Sequence, residues 1–173
     1  MTRPPRQPST THEPMVLGFD KVRHLSGLRE CLIELQEFER RIDPRMPPGS
    51  VIADAYTDEM FRRCQECGGR ILIAAFDGNV AGYATILPKV KSEQIEDGNL
   101  EYGLISDLVV LEKYRGLGLG RKLLAAAEQY ARSCKVKYLR IGVLAGNPVA
   151  KEIYESAGFV PLYVELEKTL TRS

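Results

Sequence analysis

Glycine stands at every second position in Arg115-Gly116-Leu117-Gly118-Leu119-Gly120-Arg121-Lys122, just after the apolar run Val109-Val110-Leu111 and just before Leu123-Leu124. A strand that feeds such a turn, with a helix opening at its end, lets successive backbone N–H groups converge on one spot. The helix start adds its unpaired donors and the positive end of its dipole. The chemistry this offers is the binding of an anion, and Arg115, Arg121 and Lys122 add formal charge suited to a phosphate or pyrophosphate. Two rival cradles fail on their letters. The dinucleotide pattern G-x-G-x-x-G meets Arg121 when started at Gly116 and Leu123 when started at Gly118. The phosphate loop G-x-x-x-x-G-K followed by Ser or Thr fails because Arg121 and then Lys122 follow Gly120.

Three further groups of residues could do chemistry. Glu101 and Asp107 lie on the stretch that leads into the turn and are candidate proton acceptors. Strict alternation would put Glu101, Gly103, Ile105 and Asp107 on one strand face and Ser106 and Leu108 on the other, unless a bulge shifts the parity. The face that meets a substrate stays open at this point. Tyr154 falls in a helical stripe with Ala150, Ile153 and Ala157, which predicts an inward ring, and Asn147 stands where a helix N-cap belongs. Cys64-Gln65-Glu66-Cys67 has the spacing of a metal or redox pair. The two histidines, His12 and His24, and the isolated Cys31 and Cys134 supply no convincing second ligand pair. The pair also closes a helix, whereas redox pairs usually open one, so ordinary helix-end cysteines and no bound metal are expected.

The elements that must position these residues follow from periodicity. Met15 to Val22 alternates as a first strand, and Leu25, Leu28, Leu32 and Leu35 recur at helical spacing through Arg41. Pro44, Pro47, Pro48 and Gly49 break that helix, and a second runs from about Val51 to Cys67, stopping at Gly68 and Gly69. Arg70 to Phe76 and Val80 to Leu87 flank Asp77-Gly78, a strong hairpin signal. The polar stretch Lys89 to Asn99 makes another turn before a long strand, Leu100 to Leu111. A helix over Leu119 to Ser133 buries Leu123, Leu124, Ala127 and Ala131. A strand at Tyr138 to Leu144, a short helix at Asn147 to Ala157 and a last strand at Phe159 to Lys168 complete a mixed α/β order.

Composition sets the frame. A chain of 173 residues with 44% apolar and 27% charged side chains suits one folded domain, here taken as residues 15–173 behind a loose proline-rich tail, 1–14. With 24 basic against 23 acidic side chains the net charge is +1, so no global field draws it to nucleic acid or an anionic membrane. Cysteine usage and the lack of an apolar leader or span give the expectation of a soluble, cytoplasmic protein.

Arg115-x-x-Gly118-x-Gly120 resembles the pyrophosphate-binding motif of the GNAT superfamily of acetyl-CoA-dependent N-acetyltransferases. Asn147-x-x-Ala150-x-x-x-Tyr154-x-x-x-Gly158-Phe159 is similar to that family's other signature, at the usual distance downstream. Together they cover about Leu100 to Leu170; one departure is Glu112, where many members carry proline. The resemblance implies a mostly antiparallel, twisted sheet that splays between strands four and five, flanked by helices. It implies acetyl-CoA as co-substrate, with the pantetheine arm along the backbone of Leu108, Val109 and Val110. The pyrophosphate would lie in the cradle Arg115, Gly116, Leu117, Gly118, Leu119, Gly120 and Arg121, and Asn147 would hydrogen-bond the cofactor. The Val110 N–H would polarise the thioester carbonyl, and Tyr154 would protonate the coenzyme A thiolate. Glu101 and Asp107 are the candidates for the base. The partner implied is a primary amine, of a small molecule or a protein, and a homodimer stays open; a non-catalytic acyl-CoA-binding domain is the other class that such a cradle allows. The acceptor side would be built from the first two helices and the loop Lys89 to Asn99. There Glu34, Glu37, Glu39, Asp43, Asp54 and Asp58 would suit a cation, although such a run is usually a solvated helix surface.

Overall fold

Pairing in the sheet starts from the hairpin that the sequence marks most strongly. The computed structural model describes residues 13–170; most of the expected tail, residues 1–12, lies outside the described residues, as do residues 171–173. Asp77 and Gly78 both adopt positive φ, 49° and 77°, the geometry of a tight turn whose twist matches that of its strands. They join β2 (Arg70–Phe76) to β3 (Asn79–Lys91). The first strand, β1 (Met15–Gly18), runs antiparallel to β2, and β4 (Glu101–Val110) antiparallel to β3. A short β5 (Leu139–Ile141) closes the order β1-β2-β3-β4-β5 and is parallel to β4. Pro88 lies inside β3, but in the irregular stretch between the pairs Leu87↔Leu104 and Val90↔Tyr102, where its missing N–H breaks no ladder.

Helix α1 (Lys21–Ile42) starts at Asp20, whose carboxylate accepts from the Arg23 N–H at 2.9 Å. Helix α2 (Gly49–Cys67) has Pro48 as its cap residue and no side-chain cap of its own. Instead Glu37 of α1 accepts the Gly49 N–H at 2.7 Å, putting an anion at the helix start. Gly68 ends α2 at φ 63°, as expected of a left-handed stop. Helix α3 (Leu119–Ser133) buries Leu119, Leu123, Leu124, Ala127 and Ala131.

Alternation along the strands sends Ile71, Ile73, Tyr83 and Val109 to one face, where they pack with Leu28, Leu32, Ala53 and Met60 of α1 and α2. Leu72, Ala74 and Ala84 point to the other face, which α3 covers. Each fully buried leucine or isoleucine contributes about 1.5–3 kcal/mol.

The described residues divide at Gly142/Val143 into two compact units, and the features above belong to the first. The second contains α4 (Pro148–Ser156), which Asn147 caps by accepting the Ala150 N–H at 3.1 Å. Two expectations are corrected here. The strand expected at Tyr138 to Leu144 shrinks to three residues, and the strand expected at Phe159 to Lys168 is not a strand. Val160, Leu162, Tyr163, Val164 and Leu166 are 71–90% exposed. Alternating apolar residues favour an extended backbone, but a strand exists only where a neighbour completes the ladder.

Candidate functional site

The glycine turn has the geometry that its letters require. After β4 a single 3-10 turn, Glu112–Tyr114, leads into Gly116 at φ 80° and Gly118 at φ 75°, both in the left-handed region. Gly118 is the N-cap of α3 and carries no side-chain cap bond. The first bond recorded from this turn runs from the Lys122 N–H to the Gly118 carbonyl at 3.1 Å, so the N–H groups of Leu119, Gly120 and Arg121 have no intrahelical acceptor. A Cβ built on Gly116 or Gly118 meets nothing within 4 Å, so open space lies beside this donor group. That is what an anion needs.

The charges beside the turn divide into two kinds. Arg115 is anchored although exposed: its Nε donates to the Val110 carbonyl at 3.1 Å and its guanidinium lies 3.6 Å from Glu34 of α1. It braces the cradle, where the sequence suggested only that it charges it. Arg121 is exposed and has no ion pair among the described residues. Glu112, the departure noted above, donates its backbone N–H to Glu34 at 2.7 Å, a bond that proline could not make.

The edge of β4 opens just before the turn. Pairing with β5 covers Gly103, Leu104 and Ile105 and ends there. Leu111 donates its N–H to Ala81 of β3 at 2.9 Å, and the register continues regularly through Val110, Val109 and Leu108. The two-residue alternation of an antiparallel ladder therefore turns the N–H groups of Val110 and Leu108 away from β3, along the stretch that β5 does not pair. Val109, between them, donates toward β3 and keeps its side chain in the core, 5% exposed.

A bulge settles the parity of the strand carboxylates. Thr85 pairs with Asp107 and Ile86 with Ile105, so Ser106 is an extra residue with nothing opposite. Before the bulge the odd positions look toward the end of α3, as Gly103 does against Val136. After it Asp107 and Val109 look toward α1 and α2. Glu101 and Asp107 thus belong to opposite faces, and Glu101 stands exposed at the start of the strand. The structure does not bring the two together.

Asp107 is 6% exposed, and both of its oxygens are engaged. The Tyr56 hydroxyl of α2 donates to Oδ1 at 2.7 Å and the Ser106 hydroxyl to Oδ2 at 2.8 Å. Burial pushes its carboxyl above the ordinary range, and the hydrogen bonds from Tyr56 and Ser106 pull the other way. Glu39 of α1 is raised as well, first by burial and then by the charge of Asp107. Burial and the same charge raise the Tyr56 phenol, so it stays a proton donor to the carboxylate. These groups line a recess of about 120 Å³ between α1, α2 and the β4 bulge. Sequence reading missed Tyr56 entirely, and no local signal marks it. Glu39 was one acid among six.

Tyr154, in the second unit, is 8% exposed, with its ring edge-on to Phe159 at 6.3 Å. Cys64 and Cys67 close α2, burial pushes the Cys64 thiol up to about 11, and no metal-sized cluster of His, Cys, Asp and Glu occurs among the described residues. No helix among them is long and apolar enough to cross a membrane.

Comparisons with known proteins agree with this geometry. Residues 33–159 match the model of the acetyltransferase (GNAT) family. The chain is 39% identical over 66 residues to an uncharacterized N-acetyltransferase, YycN, of Bacillus subtilis; the match covers 38% of this chain and 42% of that relative, less than half its length. Among solved structures it resembles a tetramutant of the BH1408 protein of Bacillus halodurans, with a TM-score of 0.72 at 19% identity over 90% of this chain and 99% of the other. It also resembles glucosamine-6-phosphate N-acetyltransferase of Arabidopsis thaliana, with a TM-score of 0.63 at 19% identity over 91% and 99%.

Proposed function

Because the chain belongs to the GNAT acetyltransferase family, we propose that it is an acetyl-CoA-dependent N-acetyltransferase that moves the acetyl group to a primary amine by direct attack. The observation that carries this reading is the turn from Gly116 to Gly120, where two left-handed glycines and the start of α3 offer unpaired N–H donors just past the open edge of β4.

Acetyl-CoA supplies the thioester, and the residues of this chain do the rest. The donors of Leu119, Gly120 and Arg121 hold the pyrophosphate, while Arg115 keeps the turn in shape against Glu34. Backbone groups of Leu108, Val109 and Val110 line the pantetheine arm, and the outward N–H of Val110 polarises the thioester carbonyl. Asp107 takes one proton from the incoming ammonium group, which leaves a neutral amine able to attack. The new N–C bond forms as the C–S bond breaks. Tyr154 gives its proton to the departing sulfur and regains one from the acylated nitrogen, and the proton on Asp107 leaves to solvent. Asn147 caps α4 and, by resemblance, also contacts the cofactor. Glu101 keeps only the role of a solvated strand carboxylate in this scheme.

Free-thiol release from acetyl-CoA in the presence of a panel of primary amines, with the acetylated products identified by mass spectrometry, tests the reading. Coenzyme A that fails to bind at millimolar concentration, or thiol release without any acetylated amine, would overturn it. Tyr154→Phe keeps the ring and removes the proton, so turnover should fall about 10- to 10³-fold with coenzyme A affinity unchanged. Wild-type chemical rates in that variant would return Tyr154 to a core role.

A further inference from the structure

The recess at the β4 bulge carries more information than a position for a base. Of the acidic residues on α1 and α2, several are already committed within the fold. Glu34 accepts from Glu112 and pairs with Arg115, and Glu37 caps α2 and pairs with Arg40. Asp43 pairs with Arg45 and Asp54 with Arg29. Glu39 differs: it is half-buried, lines the recess and has no side-chain hydrogen bond or ion pair among the described residues. It faces the same small space as Asp107, whose charge raises it.

Two carboxylates in one recess repel each other unless a cation stands between them. Asp107 keeps acceptor capacity beyond its bonds to Tyr56 and Ser106, because an ionised carboxylate accepts about four hydrogen bonds. On the neighbouring strand, where Thr85 pairs with Asp107, the Tyr83 and Thr85 hydroxyls are fully buried and interact with the same carboxylate. Neither hydroxyl lines the recess, whose polar side chains are those of Gln36, Glu39, Tyr56, Ser106 and Asp107. The remaining walls are apolar, with Leu35 and Ile52 among them. At about 120 Å³ the recess is well below the roughly 300–1,000 Å³ of pockets that enclose drug-sized ligands, so it has room for a narrow chain and not for a ring system.

Building on the acetyltransferase reading, we propose that this recess is the acceptor site and that its acceptor is a small, unbranched alkylamine without a carboxylate, held as the ammonium ion between Glu39 and Asp107. Glu39 is the specificity-determining residue, since it rejects acceptors that carry negative charge. Leu35 and Ile52 flank the methylene groups.

Three four-carbon amines that differ only at the far end make the probes: n-butylamine, 1,4-diaminobutane and 4-aminobutyrate. Each is titrated into the full chain and followed by amide chemical shifts, with and without saturating coenzyme A. In wild type, 4-aminobutyrate should bind at least about tenfold more weakly than n-butylamine, and 1,4-diaminobutane at least as tightly as n-butylamine. The shifts should centre on Tyr56, Ser106 and Asp107. Glu39→Gln, at a half-exposed position where the fold tolerates an amide, should cut the discrimination against 4-aminobutyrate to about two- or threefold with a melting temperature at neutral pH no lower than that of wild type. Equal binding of the three amines, no binding of any, shifts centred elsewhere, or unaltered discrimination in Glu39→Gln overturns the proposal. Binding is read without turnover, so the two readings fail separately. Amines that bind in the expected order to a protein that never acetylates them would leave the cation site standing and remove the enzyme. Acetylation without discrimination would do the reverse.

Discussion

The cradle from Arg115 to Gly120 presents backbone groups, held by two positive-φ glycines and a helix start, and its best-fixed side chain, Arg115, is spent on bracing the loop. The recess at the β4 bulge presents side chains, and they come from three separate segments: Glu39 on α1, Tyr56 on α2, and Ser106 and Asp107 on β4. A cradle of N–H groups serves any ligand with the same phosphates, so it can be shared across a family. A recess of side chains can be changed one residue at a time without touching the cradle. On the proposed reading, donor binding falls to one region and acceptor choice and proton removal to the other.

The largest expected effect breaks the recess and spares the cradle. Asp107→Asn keeps the shape of the side chain and should lower turnover by about 10²- to 10⁴-fold, while coenzyme A affinity measured by calorimetry stays at the wild-type value. The same variant should be more stable than wild type at neutral pH. Folding raises the Asp107 carboxyl above its ordinary 3.8, so its stabilising contribution is complete below that value and is lost as pH rises through the folded value. The melting-temperature gain of the variant should therefore be small in acid, grow through that window and then level off. Glu39 is raised in the same direction, so the series is best repeated in Glu39→Gln. A gain that is constant with pH would mean that the buried carboxyl is not the source.

Next in size, Gly118→Asp strikes the cradle and spares the recess. It places a negative side chain in the open space beside the α3 start and should weaken coenzyme A binding by about 10²-fold. Its backbone strain at φ 75° is a separate cost, and Gly118→Asn supplies the control because asparagine tolerates that conformation without charge. Equal loss of affinity in both variants would assign the effect to geometry and not to charge.

A smaller change sharpens the account of the recess itself. Tyr56→Phe removes the donor to Asp107 Oδ1, and that hydrogen bond lowers the Asp107 value, so its loss should move the acidic limb of the pH–rate profile to higher pH. Turnover on the acidic side should fall about tenfold, with little change at alkaline pH and none in coenzyme A affinity. An acidic limb that stays in place would show that Asp107 is not the group that must ionise.

How much of this could be read from the letters depends on how far apart the partners lie. The Asp77-Gly78 hairpin, the Gly68 stop, the Asn147 cap and the buried stripe of α3 are each settled within a few residues. Local signals failed where the outcome needed a distant neighbour. Phe159 to Lys168 has strand-like alternation and yet pairs with no strand, and the strand expected at Tyr138 to Leu144 keeps only the three residues that reach β4. Glu101 and Asp107 looked equivalent because parity was counted along one chain, while the extra residue at Ser106 exists only relative to β3.

The sequence by itself determined the backbone course of the cradle, because a glycine-rich strand-to-helix turn sets its own dihedrals, while the contacts of Arg115 and Glu112 with Glu34 that brace it came from the tertiary structure. It also determined the family, through two motifs whose spacing survives in the chain. Only the tertiary structure decided which carboxylate enters the recess and what surrounds it. Tyr56 and Asp107 are 51 residues apart, and their 2.7 Å hydrogen bond follows from the packing of α2 on a bulged strand, a relation between segments that neither segment encodes alone.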